Sequence, residues 1–302
     1  MGKTAAVVVT YNRSELLVQA VEALKKQTYK DMDILIVNNA STDNTEAVMK
    51  PYADRNEIIY FNTGENIGGA GGFNYGMKKA YEMGYDYFWL MDDDSIPDSD
   101  ALEKLFKADR ALNGQYGYLA SYVYWKDGTA CKMNAPEVSE SWLAEKRHVR
   151  DNLVKISRST FVGFFTKREV VEKVGLPVKE FFIWSDDTNY CWRCNKYYSG
   201  YICLDSCIEH RIASNVDADL IYDDTGRLGR YVYAFRNRAY NYRMEDRQKE
   251  YRRYVLKKIF HILTRSKDHR LKRINVMLKG AVKGRKFNPP IEYVGKQEKK
   301  KK

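Results

Sequence analysis

The chain has no apolar run approaching the roughly 20 residues that a membrane-spanning helix needs, so a protein that does not cross the bilayer is expected. Nor does it open on a secretory pattern, since Met1-Gly2-Lys3 leads directly into TAAVVVTY. Cysteine is scarce and odd in number, at five. With no leader in view, that count argues against a disulfide scaffold and for a reducing cytoplasm. Acid is scarce in one region only. Of the 51 Lys+Arg and 40 Asp+Glu, residues 227–302 hold 25 and 6, which leaves 26 against 34 for residues 1–226. The front is acidic and the tail strongly basic. Such a tail can meet nucleic acid, anionic lipid or a phosphorylated substrate, and charge alone does not choose. It can also be a solvated helical face that runs into a disordered KQEKKKK end. What is abundant points to folding: 302 residues at 44% hydrophobic and 30% charged suit one or two globular domains with a sizeable core.

Along the first hundred residues, strand patterns alternate with helical ones. TAAVVVTY (4–11) is a short β-branched run of the kind that makes a fully buried parallel strand. In the following segment Leu16, Leu17, Ala20, Val21 and Leu24 recur at helical spacing, with Ser14 as the expected cap. DMDILIVNNAS and NEIIYFNT read as further strands, TDNTEAVMKPYA and the Gly-rich GENIGGAGGFNYGMKKAYEMG as helices, and YDYFWLM as the strand that closes the series. Four strand–helix units in sequence imply an open, mostly parallel sheet with helices on both faces. Ligands of such sheets bind at the carboxyl ends of the strands. Three consecutive aspartates, Asp92, Asp93 and Asp94, stand at such an end.

Adjacent carboxylates repel and resist leaving water unless a cation or hydrogen-bond donors compensate them. Asp92 and Asp94 alternate, so they can bracket a hard divalent ion, Mg²⁺ or Mn²⁺, while Asp93 points elsewhere. The competing reading, a cap for the helix around SDALEKLFKA, needs a single acid, and Asp98 or Ser99 is better placed for it.

In order and at similar spacing, VVVTYNR, ILIVNNASTDNT, NIGGAGGFNYGM and FWLMDDD resemble the nucleotide-binding half of family 2 glycosyltransferases of the GT-A fold, over roughly residues 4–240. The resemblance implies a nucleoside diphosphate sugar donor (UDP or dTDP) and a Mn²⁺ or Mg²⁺ ion on its diphosphate. Around that donor it places Thr10, Tyr11, Arg13, Asn38, Asn39, Asp43, Asn66, Gly68, Gly69, Gly71, Asp92 and Asp93. Many relatives have an aspartate at the place of Asn38 to accept a uracil imide N–H, and a carboxamide oxygen can still accept it. Asp43 either bonds base or ribose or caps the next helix. Gly68, Gly69, Gly71 and Gly72 let backbone approach a ligand, or pack a helix. G-x-G-x-x-G in a first strand–helix turn is not present, which rejects a dinucleotide fold.

In the second half, Asp186-Asp187 lies between Trp184 and a helical pattern carrying Tyr190, Trp192 and Arg193. Inverting sugar transfer needs one general base for the acceptor hydroxyl, and a second carboxylate can raise its pKa. Similarity to W-x-D-D-x-x-Y of bacterial galactofuranosyl- and rhamnosyltransferases names Asp187 the base and Asp186 its helper; helix capping is the alternative. Trp184, Tyr190, Arg193 and Arg236 are expected at the acceptor, with Arg236 or Arg238 as a diphosphate clamp. His210 lies as far beyond Asp187 as a metal-ligating histidine does in those relatives, so Asp92, Asp94 and His210 are the expected metal set. Cys191, Cys194, Cys203 and Cys207 have a zinc-like spacing but read better as core cysteines.

These readings give a GT-A catalytic domain over residues 1–225, with a donor half to about 100 and an acceptor half to 225. A basic helical region, 226–302, follows. Tyr254, Ile259, Phe260, Leu263 and Leu271 interleave with Lys and Arg there, either on an anionic membrane surface or packed on the catalytic domain. The expected activity is metal-dependent inverting transfer, with UDP-galactofuranose favoured over dTDP-rhamnose, to a lipid-diphosphate-linked glycan. The expected place is the cytoplasm, peripheral on the inner face of the plasma membrane. A nucleic-acid-binding module or a non-catalytic scaffold leaves the acids at the strand ends without a purpose.

Overall fold

A computed structural model describes residues 2–295; the expected Lys-rich disordered end, 296–302, lies outside the described residues. The first half runs β1 (Thr4–Thr10), α1 (Ser14–Lys25), β2 (Met32–Asn38), α2 (Thr45–Asp54), β3 (Ile59–Asn62), α3 (Gly68–Glu82) and β4 (Tyr87–Asp92). There follow β5 (Ser95–Pro97), α4 (Ala101–Ala111), β6 (Tyr118–Tyr124), β7 (Glu137–Val138), α5 (Lys146–Arg150), β8 (Leu153–Arg158) and β9 (Phe164–Lys167). The chain continues with α6 (Arg168–Val174), α7 (Asp186–Asn195) and β10 (Gly200–His210), and three helices complete it: α8 (Tyr231–Met244), α9 (Gln248–Arg265) and α10 (Arg270–Lys286).

All ten strands form one sheet, ordered β3-β2-β1-β4-β9-β6-β10-β8-β7, with β5 on β10. The β-branched run of β1 is buried along its whole length, as a strand covered on both faces must be. It pairs in parallel with β2 and β4, and β2 in parallel with β3. The second half is mixed: β9 inserts antiparallel between β4 and β6, while β6 and β10 are parallel. Parallel character therefore holds for the alternating first half and stops where β4 turns directly into β5 instead of a crossover helix.

Two apolar layers cover the sheet. One sets Leu17, Val21, Trp89, Leu105, Phe106 and Phe165 together under α1, α2 and α4. The other sets Val7, Phe73, Met77, Phe88, Phe164 and Tyr190 under α3, α6 and α7. A Cβ at Gly76 would stand 2.4 Å from Val7 Cγ1, and one at Gly72 would stand 2.5 Å from Val9 Cγ1. Helix α3 thus rests on β1 through glycines. Gly76→Val is expected to overpack this contact and cost ~1–3 kcal/mol, seen as a lowered urea midpoint at unchanged slope.

Two capping expectations are corrected. Ser14 is the first residue of α1 and not its cap, and its hydroxyl donates to Asn44 Oδ1 at 2.6 Å. Neither Asp98 nor Ser99 caps α4 by side chain, since the Asp98 carboxylate accepts from the Tyr124 hydroxyl at 2.8 Å.

The last three helices have a small core of their own, with Leu220, Ile221, Phe235, Ile262 and Met277. Tyr240, with Phe287 and Ile291, joins them to Phe181 and Ala70 of the sheet domain. Gly280 and Gly284 bring α10 against α8, their absent side chains leaving room for the Val232 carbonyl and Ala239. Of the two expectations for this region, packing on the catalytic domain describes α8 and the 287–291 segment. The outer faces of α9 and α10 face solvent.

Candidate active site

The carboxyl ends of β1, β2 and β4 are in register, with Val9 opposite Asp92 and Thr10 opposite Asn38. Past Asp92 the chain turns and pairs as β5 with the end of β10, Ser95 opposite His210. That antiparallel register, reinforced by the Arg211 N–H donating to the Asp94 carbonyl at 2.9 Å, puts the imidazole beside the acids. His210 Nε2 is 3.0 Å from Asp94 Oδ1. One donor atom each from Asp92, Asp94 and His210 lie within 4.8 Å of one another. Two carboxylate oxygens and an imidazole nitrogen suit a hard to borderline divalent ion. His210 Nδ1–H donates to Asn134 Oδ1 at 2.7 Å, which fixes the tautomer and leaves Nε2 for the site.

Asp93 points the other way. Its carboxylate accepts from Thr10 Oγ1 at 2.8 Å and from Arg13, which also reaches Asp94. Burial, with mutual repulsion, pushes Asp92 up to about 7 and Asp93 up to about 6. Burial also acts on Asp94, but His210 and Arg13 outweigh it and hold that carboxyl below its usual range. His210, despite its burial, is raised to about 10 by the Asp94 and Cys131 contacts and by the acid charge. The cluster is a set of buried negative charges held by one arginine and one imidazolium.

Around it, Tyr11 stands exposed at the mouth. Asn38 is corrected as a free base reader: its Oδ1 accepts from Ser41 N at 2.9 Å and its Nδ2 donates to the Tyr60 hydroxyl at 2.7 Å, with the side chain fully buried. Asn39 Nδ2 donates to the Gly68 carbonyl at 3.0 Å, while its buried Oδ1 has no partner. Asp43 holds the start of α2 through Thr45 N at 3.0 Å and also accepts from Ser14 N, so its carboxylate serves the helix. Asn66 Oδ1 accepts from Gly68 N at 2.9 Å. Of the three glycines expected at the donor, Gly69 faces open space, Gly71 lies on Ile67, and Gly68, at φ +74°, lies on the Phe182 carbonyl.

The acid pair opens α7 after a strained approach. Phe182 (φ 64°, ψ −58°) centres a γ-turn closed by Ile183 N donating to the Phe181 carbonyl at 2.7 Å, the rare positive-φ form. Trp184 and Ser185 are also left-handed, at φ 65° and 67°. Such non-glycine conformations cost of order 1–3 kcal/mol each and persist only where the surroundings impose them. Burial raises Asp186 well above its ordinary value, next through the charge of Asp187 and also through that of Asp92. Asp186 is thus near enough to the triplet to feel the charge of Asp92. Burial raises Asp187 too, against the opposing charges of Arg158 and Arg238.

Three expected acceptor contacts are corrected. Tyr190 is fully buried among Phe161 and Phe164. Arg193 is buried, donating to the Val174 and Leu176 carbonyls and to Asn189 Oδ1. Arg236 stacks on Phe287 and donates to the Glu180 and Phe181 carbonyls, so it is not a diphosphate clamp. Apolar faces that read as substrate contacts in a helix pattern are here the buried side of α7 and α8. Trp184 is half-buried against Tyr231. Cys191 and Cys194 lie in one apolar layer and Cys203 in the other, on opposite faces of the sheet. Sequence reasoning missed Asn134, Arg158 and Asn237, which sit in a single 3-10 turn (Lys132–Asn134), at a strand end and in a helix with no periodic signal for their task.

A parallel half-sheet ending in an Asp-Asp-His group, with a second acid pair across the crevice, defines a nucleotide-sugar transferase of the GT-A type. The chain belongs to glycosyl transferase family 2, whose family model matches residues 5–175. Among curated relatives it is 39% identical over 93 residues to galactofuranosyltransferase GlfT1 of Mycolicibacterium smegmatis, covering 30% of each chain. It is 33% identical over 110 residues to the poly-beta-1,6-N-acetyl-D-glucosamine synthase of Staphylococcus aureus, covering 35% of this chain and 26% of that one. The matches thus span under a third of these relatives' lengths. A similar fold is that of the mannosyltransferase PcManGT from Pyrobaculum calidifontis, solved with GDP-Man and Mn²⁺. Its TM-score is 0.55 at 13% identity, over 92% of this chain and 74% of that one.

Proposed function

We propose that the protein moves a sugar from a nucleoside diphosphate donor, UDP-galactofuranose in preference to dTDP-rhamnose, onto a hydroxyl of a lipid-diphosphate-linked glycan, with inversion. The observation that carries this is the Asp92/Asp94/His210 group at the carboxyl ends of the strands, with the acid pair Asp186/Asp187 near enough for the charge of Asp92 to act on Asp186. The first group would hold Mn²⁺ or Mg²⁺, which when bound offsets the charge gathering on the departing diphosphate. Thr10 and Arg13 orient the triplet by fixing Asp93, so that Asp92 and Asp94 turn into the crevice. Tyr11, at the strand end, offers its ring to the base. Asp187 takes the proton of the acceptor hydroxyl. Asp186, beside it and raised by burial and by the charge of Asp187, hydrogen-bonds a second acceptor hydroxyl. The 39% identity over 93 residues to a galactofuranosyltransferase supports the choice of sugar.

The testing experiment is release of nucleoside diphosphate by purified protein with Mn²⁺ from UDP-galactofuranose, UDP-galactopyranose, UDP-glucose and dTDP-rhamnose, with and without EDTA. One metal-dependent donor identifies the sugar. No turnover with a lipid-linked acceptor mixture present overturns the reading in favour of a non-catalytic scaffold.

The lipid-linked acceptor would be met at the inner face of the plasma membrane. No helix among the described residues is long and apolar enough to cross a membrane. Helix α9 instead carries Leu256, Phe260 and Leu263 at helical spacing, the first two more than 60% exposed, along with Arg252, Arg253 and Lys257. Helix α10 adds Leu271, 81% exposed, and Val282 beside Lys272, Lys279 and Lys283. Apolar stripes bordered by cations suit an anionic bilayer surface, where each basic side chain adds ~1 kcal/mol. The triple replacement of Leu256, Phe260 and Leu263 by Ser is expected to lower binding to vesicles containing phosphatidylglycerol by at least about tenfold, read by co-sedimentation. Binding that is unchanged, or equal on neutral vesicles, rejects this face.

A further inference from the structure

The acids of α7 follow three left-handed residues, Phe182, Trp184 and Ser185, none of them glycine. Something must hold that backbone. The donors come from one face of α8. The Asn237 amide, fully buried, donates to the carbonyls of Phe181 (2.9 Å), Ile183 (3.0 Å) and Trp184 (2.9 Å), two protons shared among three acceptors. One turn on, Asn241 Nδ2 donates to the Ser185 carbonyl at 3.0 Å. Each amide is itself fixed. Asn237 Oδ1 accepts from Arg236 Nε at 2.9 Å, and Asn241 Oδ1 accepts from Asn189 Nδ2 at 2.9 Å. Asn189 Oδ1 in turn accepts from Arg193 Nε at 2.9 Å, and Arg193 ends the chain on the Val174 and Leu176 carbonyls.

Carbonyls turned to one side by positive φ are the acceptors such a clamp requires, and a carboxamide is among the few uncharged side chains with two donor protons on one atom. Remove it, and the Ile183 and Trp184 carbonyls lose this donor, Phe181 is left with Ile183 N and Arg236, and the backbone is free to leave the left-handed region. We propose that Asn237 is a positioning residue: from α8 it locks residues 181–185 so that Asp186 and Asp187 face the acid triplet. Arg236 and Asn241 complete the clamp, which gives Arg236 a task in place of the substrate contact expected of it. The inference rests on the reading of Asp187 as the base.

The test compares Asn237→Ala, Asn241→Ala, Ser185→Gly and the double variant Ser185→Gly/Asn237→Ala in the full chain. Assays use UDP-galactofuranose, Mn²⁺ and a lipid-linked saccharide acceptor, with UDP binding measured separately by calorimetry. Asn237→Ala is expected to lower kcat by about 10–100-fold while UDP affinity stays within twofold, because the Phe182 carbonyl, which meets the donor loop through Ala70 N at 3.2 Å, is not among the carbonyls that Asn237 holds. Ser185→Gly, which adopts φ > 0 without steric cost, is expected to restore part of the loss in the double variant. A merely structural asparagine gives no such rescue. An unchanged kcat in Asn237→Ala, or a kcat loss matched by loss of UDP binding with no rescue, overturns the proposal. If Asn237→Ala does not fold, Asn241→Ala carries the test: a smaller kcat loss at intact UDP affinity supports the clamp and an unchanged kcat overturns it. Asp187→Asn separates the two readings, since its retained activity defeats the base assignment whatever Asn237 does.

Discussion

Asp187→Asn is expected to lower kcat by about 10²–10⁴-fold while leaving UDP and Mn²⁺ binding in place, as measured by initial rates and calorimetry on the same protein. The asparagine keeps the shape and its carbonyl oxygen but cannot take the acceptor proton. Asp186→Asn should cost less, since an amide in its place can still hydrogen-bond an acceptor hydroxyl. The pH profile carries the same assignment. Burial raises Asp187 above the ordinary carboxylate range, with Arg158 and Arg238 pulling the other way. A base must be ionised to act, so kcat/KM is fully expressed above this raised pKa and falls as pH drops through it, earlier than a solvent-exposed aspartate would allow. In Asp187→Asn the residual rate should lose that acid limb. An unaltered limb would assign it to another group, with Asp92 at about 7 the first to examine.

Much of this site can be read from residues in a row. The β-branched run of β1 and the FWLMDDD stretch are local signals, because a buried strand and a like-charge cluster each violate solvation unless the fold compensates them. The mixed second half was not legible in the same way. The insertion of β9 between β4 and β6 depends on pairings far apart in sequence, and no short-range periodicity encodes such a partner. The same holds for functional detail. Asn38 and Asn39 look alike in sequence, yet the first is consumed by Ser41 and Tyr60 and the second leaves a buried oxygen unpaired. Arg193 and Arg236 carry the charge of substrate ligands, but their guanidinium groups end on backbone carbonyls. Charge is visible in a sequence; the carbonyls that capture it are not. Asn134, in a three-residue 3-10 turn too short to carry a pattern, becomes meaningful only once β5 and β10 set His210 beside Asp94.

Asp94→Asn is expected to weaken Mn²⁺ binding by at least about 100-fold and to abolish metal-dependent turnover, because Asp94 serves twice, as a ligand oxygen and as the partner of His210. Without an ion the cluster stores protons. Asp92 sits at about 7 and His210 at about 10, both above their ordinary values. An acid whose folded pKa is raised binds more protons folded than unfolded between about 4 and 7, so stability from Asp92 falls as pH rises through that window. His210 works the other way round in charge but has the same sign: its contribution is complete below about 6.5 and is lost as pH rises through about 10. A divalent ion must displace these protons. Mn²⁺ affinity should therefore climb between pH 6 and 8 with net proton release, measurable by calorimetry in buffers of different ionisation enthalpy, and the Mn²⁺-induced rise in melting temperature should grow over the same range. Asn134→Leu, which removes the acceptor that fixes the His210 tautomer, should weaken Mn²⁺ by about 10–100-fold with both carboxylates intact. If Asp94→Asn binds Mn²⁺ normally, or binding releases no protons, the ion is held elsewhere. The buried triplet would then be a charge cluster balanced by Arg13 and His210 alone, and the crevice would have to stabilise a departing diphosphate with arginines instead of a metal.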